Sequence, residues 1–257
     1  MITAFCSSVT GGRDQAARTT QPVYDLARRL AGVPEGVAVF DPCPPDPTFD
    51  GLEIAWHDWN YVNPPFREAE RWIDKGKAEG KKAFFLLPLR ASRRWFADRL
   101  VRMATVSVLC QPVRFAGYRS NFPLPVFVAR MPPAVPPEGH PVRQYTVTAR
   151  DREVPQLPWD GPVTVLSQSP SAALRALPAE ATVVLPVTLF KTRAFQERLR
   201  DVRDVAWVRA TGAKSFIGSA AVRFAPSEPP VAPSPDCLFL VRSEDPLFPS
   251  QDAATIV

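Results

Sequence analysis

Asn63-Pro64-Pro65-Phe66 is the stretch whose residue types and spacing could do chemistry. Two successive prolines fix the backbone and remove two amide donors. The Asn63 side-chain oxygen and the Pro64 carbonyl then form a pair of acceptors that one planar amine can satisfy. An exocyclic nitrogen that gives its protons to such acceptors becomes more nucleophilic, and Phe66 can stack on the ring that carries it. A base inside a duplex cannot reach a pocket of this kind, so it would be flipped out. The plain alternative is a Pro-Pro turn after a strand, in a chain with 30 prolines.

The motif needs a strand to deliver it and a sheet to hold that strand. Tyr61-Val62 reads as the end of a short strand running into Asn63. Before it, apolar spacing predicts a helix over 21–31, with Val23, Leu26, Ala27 and Leu30 on one face, and a short buried strand over 37–40 that ends at Asp41-Pro42-Cys43. After it come a helix over 68–77 with Trp72 and Ile73 inward, a buried strand over 83–87 stopped by Pro88, and a helix over 93–102 offering Trp95, Phe96 and Leu100 to the core. Strands follow over 106–109 and 126–129. This alternation predicts an α/β sheet with functional loops at strand ends. The region 143–166 is richer in strand signals. Helices over 171–177 and 195–202 and strands over 182–185, 205–208 and 238–241 follow, and 243–257 reads as a surface tail.

The two halves repeat an order of elements. Trp59, Asn63-Pro64-Pro65, a helix and Phe85-Leu86-Leu87-Pro88 face Trp159, Ser167-Gln168-Ser169-Pro170, a helix and Val183-Val184-Leu185-Pro186. Later, Val113-Arg114-Phe115 faces Val222-Arg223-Phe224, and Val126-Phe127-Val128-Ala129-Arg130 faces Leu238-Phe239-Leu240-Val241-Arg242. The expectation is a duplication whose copies pack as a pseudo-dimer. The second copy lacks Asn and the aromatic, and should not catalyse.

Composition bounds the rest. The chain has 257 residues, 46% hydrophobic and 22% charged, with a net charge of +5; that suffices for a sizeable core and a modest basic bias compatible with nucleic acid. Cys6, Cys43, Cys110 and Cys237 form no C-x-x-C pair, and only His57 and His140 could join them, so no metal site is expected. Scattered cysteines, no apolar run of transmembrane length and no secretion signal point to a cytoplasmic or viral protein that is neither membrane-bound nor secreted.

Val39-Phe40-Asp41-Pro42-Cys43, then Asp50-Gly51-Leu52, Trp56 and Tyr61-Val62-Asn63-Pro64-Pro65-Phe66, resemble the phage-type DNA N6-adenine methyltransferase family. So do Leu86-Leu87-Pro88 with Arg93 and Trp95, Arg114-Phe115, Phe122-Pro123, and Thr20-Gln21-Pro22 before the first helix. The resemblance covers about residues 20–131. It implies a compact Rossmann-like methyltransferase sheet, S-adenosylmethionine as cofactor and DNA as partner, with Asn63, Pro64, Pro65 and Phe66 holding the adenine. It also implies Asp41 and Cys43 beside the methionine end of the cofactor and Thr20 near its carboxylate. A methyl sulfonium would be the electrophile, and direct displacement needs alignment more than a strong base.

There are departures from the family. Prolines stand where a Gly-x-Gly cofactor loop is usual, and the interval from Asp41 to Asn63 has no room for a strand bearing a ribose-binding acid. Asp46, Asp50 and Asp58 are the substitutes. Arg90, Arg93 and Arg94, with Arg99 and Arg102, could track phosphates, or could form a solvated helix face; Lys191, Arg193 and Lys214 are a weaker equivalent. The expected organisation is a methyltransferase-like lobe (1–131), a Pro-rich linker (132–142), a degenerate lobe (143–242) and a tail (243–257). The alternative is an inactive descendant kept for nucleic-acid binding or as a structural virion component. Glutamine-amide or RNA-adenine substrates would present the same planar amine.

Overall fold

The computed structural model describes residues 18–90, 95–136, 138–149, 156–157, 163–165, 170–176, 182–200, 204–212, 223–224, 237–241 and 250–257. The amphipathic spacing near the start gives α1 (Gln21–Leu30), with a proline in its first turn and Arg28 and Arg29 in its last. Both placements suit helix ends, since the first turn has no use for the missing donor and the last favours cations. The strand expected over 37–40 is reduced to one parallel bridge from Phe40 to Asn60. It lies beside β1 (Trp59–Val62), all four of whose residues are buried.

α2 (Ala69–Glu79) buries Trp72 and Ile73 and stops at Gly80, whose φ of 63° is left-handed. That conformation costs glycine nothing. β2 (Lys82–Pro88) is followed by a π-helix at Trp95–Leu100 that runs into α3 (Val101–Met103). Then come β3 (Thr105–Val108), β4 (Val126–Met131), β5 (His140–Ala149), β6 (Gln156–Leu157), β7 (Val163–Val165), α4 (Pro170–Ala176) and β8 (Thr182–Pro186). A 3-10 turn at Val187–Lys191 leads to α5 (Arg193–Leu199), whose N-cap Thr192 accepts from the Phe195 amide at 3.3 Å. β9 (Asp204–Gly212), β10 (Arg223–Phe224), β11 (Cys237–Val241) and β12 (Ser250–Ile256) complete the chain.

The fold is mixed α/β around one ten-stranded sheet of order β1-β2-β4-β3-β12-β5-β9-β11-β8-β7. β6 and β10 form a separate parallel pair. The sheet order is palindromic when β1, β2, β3 and β4 are exchanged with β7, β8, β9 and β11. β1–β2 and β7–β8 are parallel, while β2–β4, β3–β4, β8–β11 and β9–β11 are antiparallel. Registers agree as well: Pro88 pairs with Val126 and Pro186 with Cys237, each proline facing the first residue of the next strand. β5, which follows the first block, pairs in parallel with β9 of the second block. β12, which follows the second, pairs in parallel with β3 of the first, and β5 and β12 meet antiparallel at the centre.

This overturns the reading of 243–257 as a surface tail, since Ser250–Ile256 is a central strand and Thr255 is buried. Its small and polar residues carry no alternation that would mark a strand; pairing on both edges holds it instead. The linker expected over 132–142 likewise gives way to β5 at His140.

Side chains alternate across β2, as a strand dictates. Phe84 and Leu86 face one cluster with α1, Trp59, Tyr61, Phe115 and Phe122. Phe85 and Leu87 face another, with Trp72, Phe96 and Phe127 from the first half and Phe190, Phe195, Val183 and Val205 from the second. One core therefore runs through both halves.

Candidate functional site

Ligands of open α/β sheets sit beyond the carboxyl ends of parallel strands. Here Phe40 and β1 lie in parallel, so Asp41 and Asn63 leave the sheet at the same edge. A cleft of about 630 Å³ opens there. Asp41, Cys43, Pro44, Pro45 and Asp46 form one wall, Tyr61 and Asn63 its floor, and Arg18, Thr19, Gln21 and Tyr24 the other wall.

Three side chains meet inside. The Asn63 amide nitrogen donates to the Thr19 hydroxyl oxygen at 3.2 Å, and the Thr19 and Tyr61 hydroxyls share a hydrogen bond of 2.5 Å. This orients the Asn63 amide, so its oxygen is the acceptor end. Burial raises the Tyr61 phenol, with the Asp41 charge adding to it and the Thr19 bond opposing it. Tyr61 therefore stays protonated at neutral pH.

Asp41 accepts from the Cys43 amide at 2.8 Å, a local turn of the kind Asp favours. Burial nevertheless pushes its carboxyl from 3.8 up to about 6. Burial, then the Asp41 and Glu68 charges, raises the Cys43 thiol to about 12. A thiol held protonated in this way is no nucleophile. Gly51 is buried against the backbone of Pro42, beside the cleft-lining residues Asp41 and Cys43. A Cβ there would lie 1.7 Å from the Pro42 carbonyl oxygen, and the Trp56 indole donates to the Gly51 carbonyl at 2.8 Å.

The structure brings Asp41, Cys43 and Asn63 together. It places Thr20 just outside: its hydroxyl donates to the Arg114 carbonyl at 3.4 Å, and the neighbours Thr19 and Gln21 line the cleft instead. Pro64 is buried, Pro65 half-buried, and the Pro65 carbonyl accepts from the Glu68 amide at 2.8 Å as the loop turns into α2. Phe66 is half-buried and meets Phe122 edge-on at 5.5 Å.

Among the substitute acids, Asp46 lines the cleft and pairs with Arg18 across it. Asp50 instead caps its own turn by accepting from the Leu52 amide at 2.9 Å, and Asp58 pairs with Lys81 at 3.5 Å.

The basic candidates divide. Arg90 is half-buried and off the cleft, Arg102 is exposed, and Arg93, Arg94 and Lys214 lie outside the described residues, as do Ser167, Gln168 and Ser169. Arg99 forks onto Asp74 and Glu70 at 2.6 and 2.9 Å, and Arg193 bonds Glu197 at 2.8 Å. These two act within the protein.

The sequence offered a signal for Tyr61 that spacing alone could have supplied, since it stands two residues before Asn63 and shares its face of the strand. Thr19 had none. It arrives because the 18–20 segment docks on the 114–116 loop, where the Ala116 amide donates to the Arg18 carbonyl at 2.8 Å.

Among the described residues, no three His, Cys, Asp or Glu side chains gather as metal ligands, and no helix is long and apolar enough to cross a membrane. Compared with known proteins, the chain matches no family model, no curated protein and no solved structure.

Proposed function

We propose that the chain is an S-adenosylmethionine-dependent methyltransferase acting on the N6 amino group of adenine in DNA. The observation that carries this reading is the cleft shared by Asp41 and Asn63, which follow the parallel Phe40 bridge and β1 and open onto it side by side. Its volume of about 630 Å³ lies within the roughly 300–1,000 Å³ of small-molecule sites. The donor set fits the group as well. Arg18 lines the cleft beside the start of α1, and on leaving Asp46 it could pair with a carboxylate. Asp41 suits a cationic ammonium or sulfonium, and Asp46 suits a ribose diol.

When bound, the cofactor supplies a methyl group on a cationic sulfur, which passes to nitrogen as the sulfur leaves as a thioether. The chain's own residues align the acceptor. The Asn63 amide oxygen and the Pro64 carbonyl accept the N6 protons, and this contact strengthens as the nitrogen develops positive charge. Phe66 supports the flipped base, and one N6 proton is released to solvent after transfer.

The sheet supports reading the chain as a duplicated Rossmann-like unit with exchanged final strands. By register, Tyr61 opposite Phe84 corresponds to Val163 opposite Thr182. Two residues further along, the register sets Asn63 against Val165, two positions before the Ser167 that the order of motifs matched to it, and a valine side chain has no amide to accept an amine. On this reading the second half has lost the chemistry and kept the sheet.

The test is tritiated methyl transfer from S-adenosylmethionine to unmethylated DNA, read as N6-methyladenine. Label in adenine supports the proposal. Inactivity on DNA, RNA and peptide substrates alike overturns it in favour of a non-catalytic nucleic-acid-binding or structural role.

A further inference from the structure

Lys191 belongs to the second half, at the end of the 3-10 turn after β8. Its ammonium donates to two consecutive carbonyls of the first half, Phe122 at 2.7 Å and Pro123 at 2.8 Å. Burial lowers its pKa, so the charge is held in place against a desolvation cost. The turn it grips is tied at both ends: the Phe122 amide donates to the Val113 carbonyl at 2.7 Å, and the Leu89 amide to the Pro125 carbonyl at 2.8 Å. Phe122 packs edge-on against Phe115 at 5.4 Å and against Phe66 at 5.5 Å.

We propose that Lys191 is a positioning residue through which the non-catalytic half sets the base pocket of the other half. Two carbonyls bonded by one ammonium fix the 122–123 turn, the turn fixes the Phe122 ring, and that ring backs Phe66 next to Asn63. The proposal rests on the methyltransferase reading and adds a reason for keeping a half without the amide. Preorganising a stacking ring matters because a flipped base repays unstacking only if its pocket is already formed.

The experiment compares the full chain with Lys191→Met and Lys191→Arg. Lys191→Met keeps the stem and removes the donors; Lys191→Arg keeps a donating cation. Loss of two charge-assisted bonds should speed hydrogen exchange at the Phe122 amide about tenfold and raise KM for unmethylated DNA by about the same factor. Exchange at the Tyr61 amide, bonded to the Phe40 carbonyl at 2.8 Å, should stay at the parental rate, as should S-adenosylmethionine affinity by calorimetry. Lys191→Arg should recover most of both losses.

Parental exchange at Phe122 or a parental KM for DNA in Lys191→Met overturns the proposal. So does a joint loss of cofactor and DNA binding that follows a lowered Tm, which would make Lys191 merely structural. If the unaltered chain binds no cofactor, the methyltransferase reading fails and the base-pocket role fails with it. The exchange comparison then decides separately whether Lys191 holds the turn.

Discussion

Thr19, Tyr61 and Asn63 meet in one hydroxyl-centred group, and on the proposed methyltransferase reading Asn63 contacts the target amine and not the cofactor. Asn63→Ala should therefore leave S-adenosylmethionine affinity close to parental and cut methyl transfer roughly a hundredfold or more, on the order of 3 kcal/mol of lost transition-state contact. Full activity in purified Asn63→Ala, assayed beside an active parent, would refute the assignment. Asp41 makes a separate prediction. Burial raises its pKa from 3.8 to about 6, so the folded chain binds this proton more tightly than the unfolded one. Its contribution to stability is fully present below the lower value and is lost as pH rises through the higher one. Asp41→Asn should then melt higher than the parent at about pH 8, by on the order of 1–3 kcal/mol, and match it at about pH 3.5. A positively charged ligand favours the ionised carboxylate, so cofactor affinity in the parent should rise with pH across the same window. Equal melting of the two proteins at both pH values would contradict the buried-acid account.

At the scale of elements, much was legible in apolar spacing and little in contacts. Phe84 to Leu87 announce a doubly buried strand, and Trp72 and Ile73 announce the inward face of α2. Asn63 stood out in the sequence through the two prolines that follow it at the end of a strand, whereas Asp41 and Cys43 entered through the family resemblance alone; the structure places all three on one cleft. The position of Thr19 depends on docking against Arg114 and Ala116, which no local pattern encodes. Gly51 stood in the sequence as part of a family resemblance, and the structure supplies its reason, a backbone approach to Pro42 that leaves no space for a methyl group. Gly51→Ala should force the 42–51 loop away from α2, costing about 1–3 kcal/mol in urea unfolding and weakening cofactor binding in parallel. Parental values for both would show that the loop does not shape the cleft.

At the scale of the molecule, β5 and β12 bind the two ends of the sheet to each other. β12 covers the edge of β3 and β5 covers that of β9, so neither block closes its own sheet. The sequence hid this because β12 is small and polar, and its partners are set by long-range pairing that local propensity does not encode. A chain ended at residue 249 should expose two strand edges and part of the shared core, giving aggregation or a loss of cooperative melting. A monomer on size exclusion with the parental Tm would show β12 to be dispensable. Because the core is shared, limited proteolysis should release no folded fragment of residues 18–136, since Phe96 and Phe127 would lose Phe190 and Phe195 from their cluster.

The proposed cofactor site is the cleft lined by Asp41, Tyr61 and Asn63, and titration calorimetry with S-adenosylmethionine tests it most directly. A saturable, one-to-one binding heat is expected in the full chain, accompanied by a rise in Tm and retained in Asn63→Ala. No heat and no thermal shift at millimolar cofactor would contradict it.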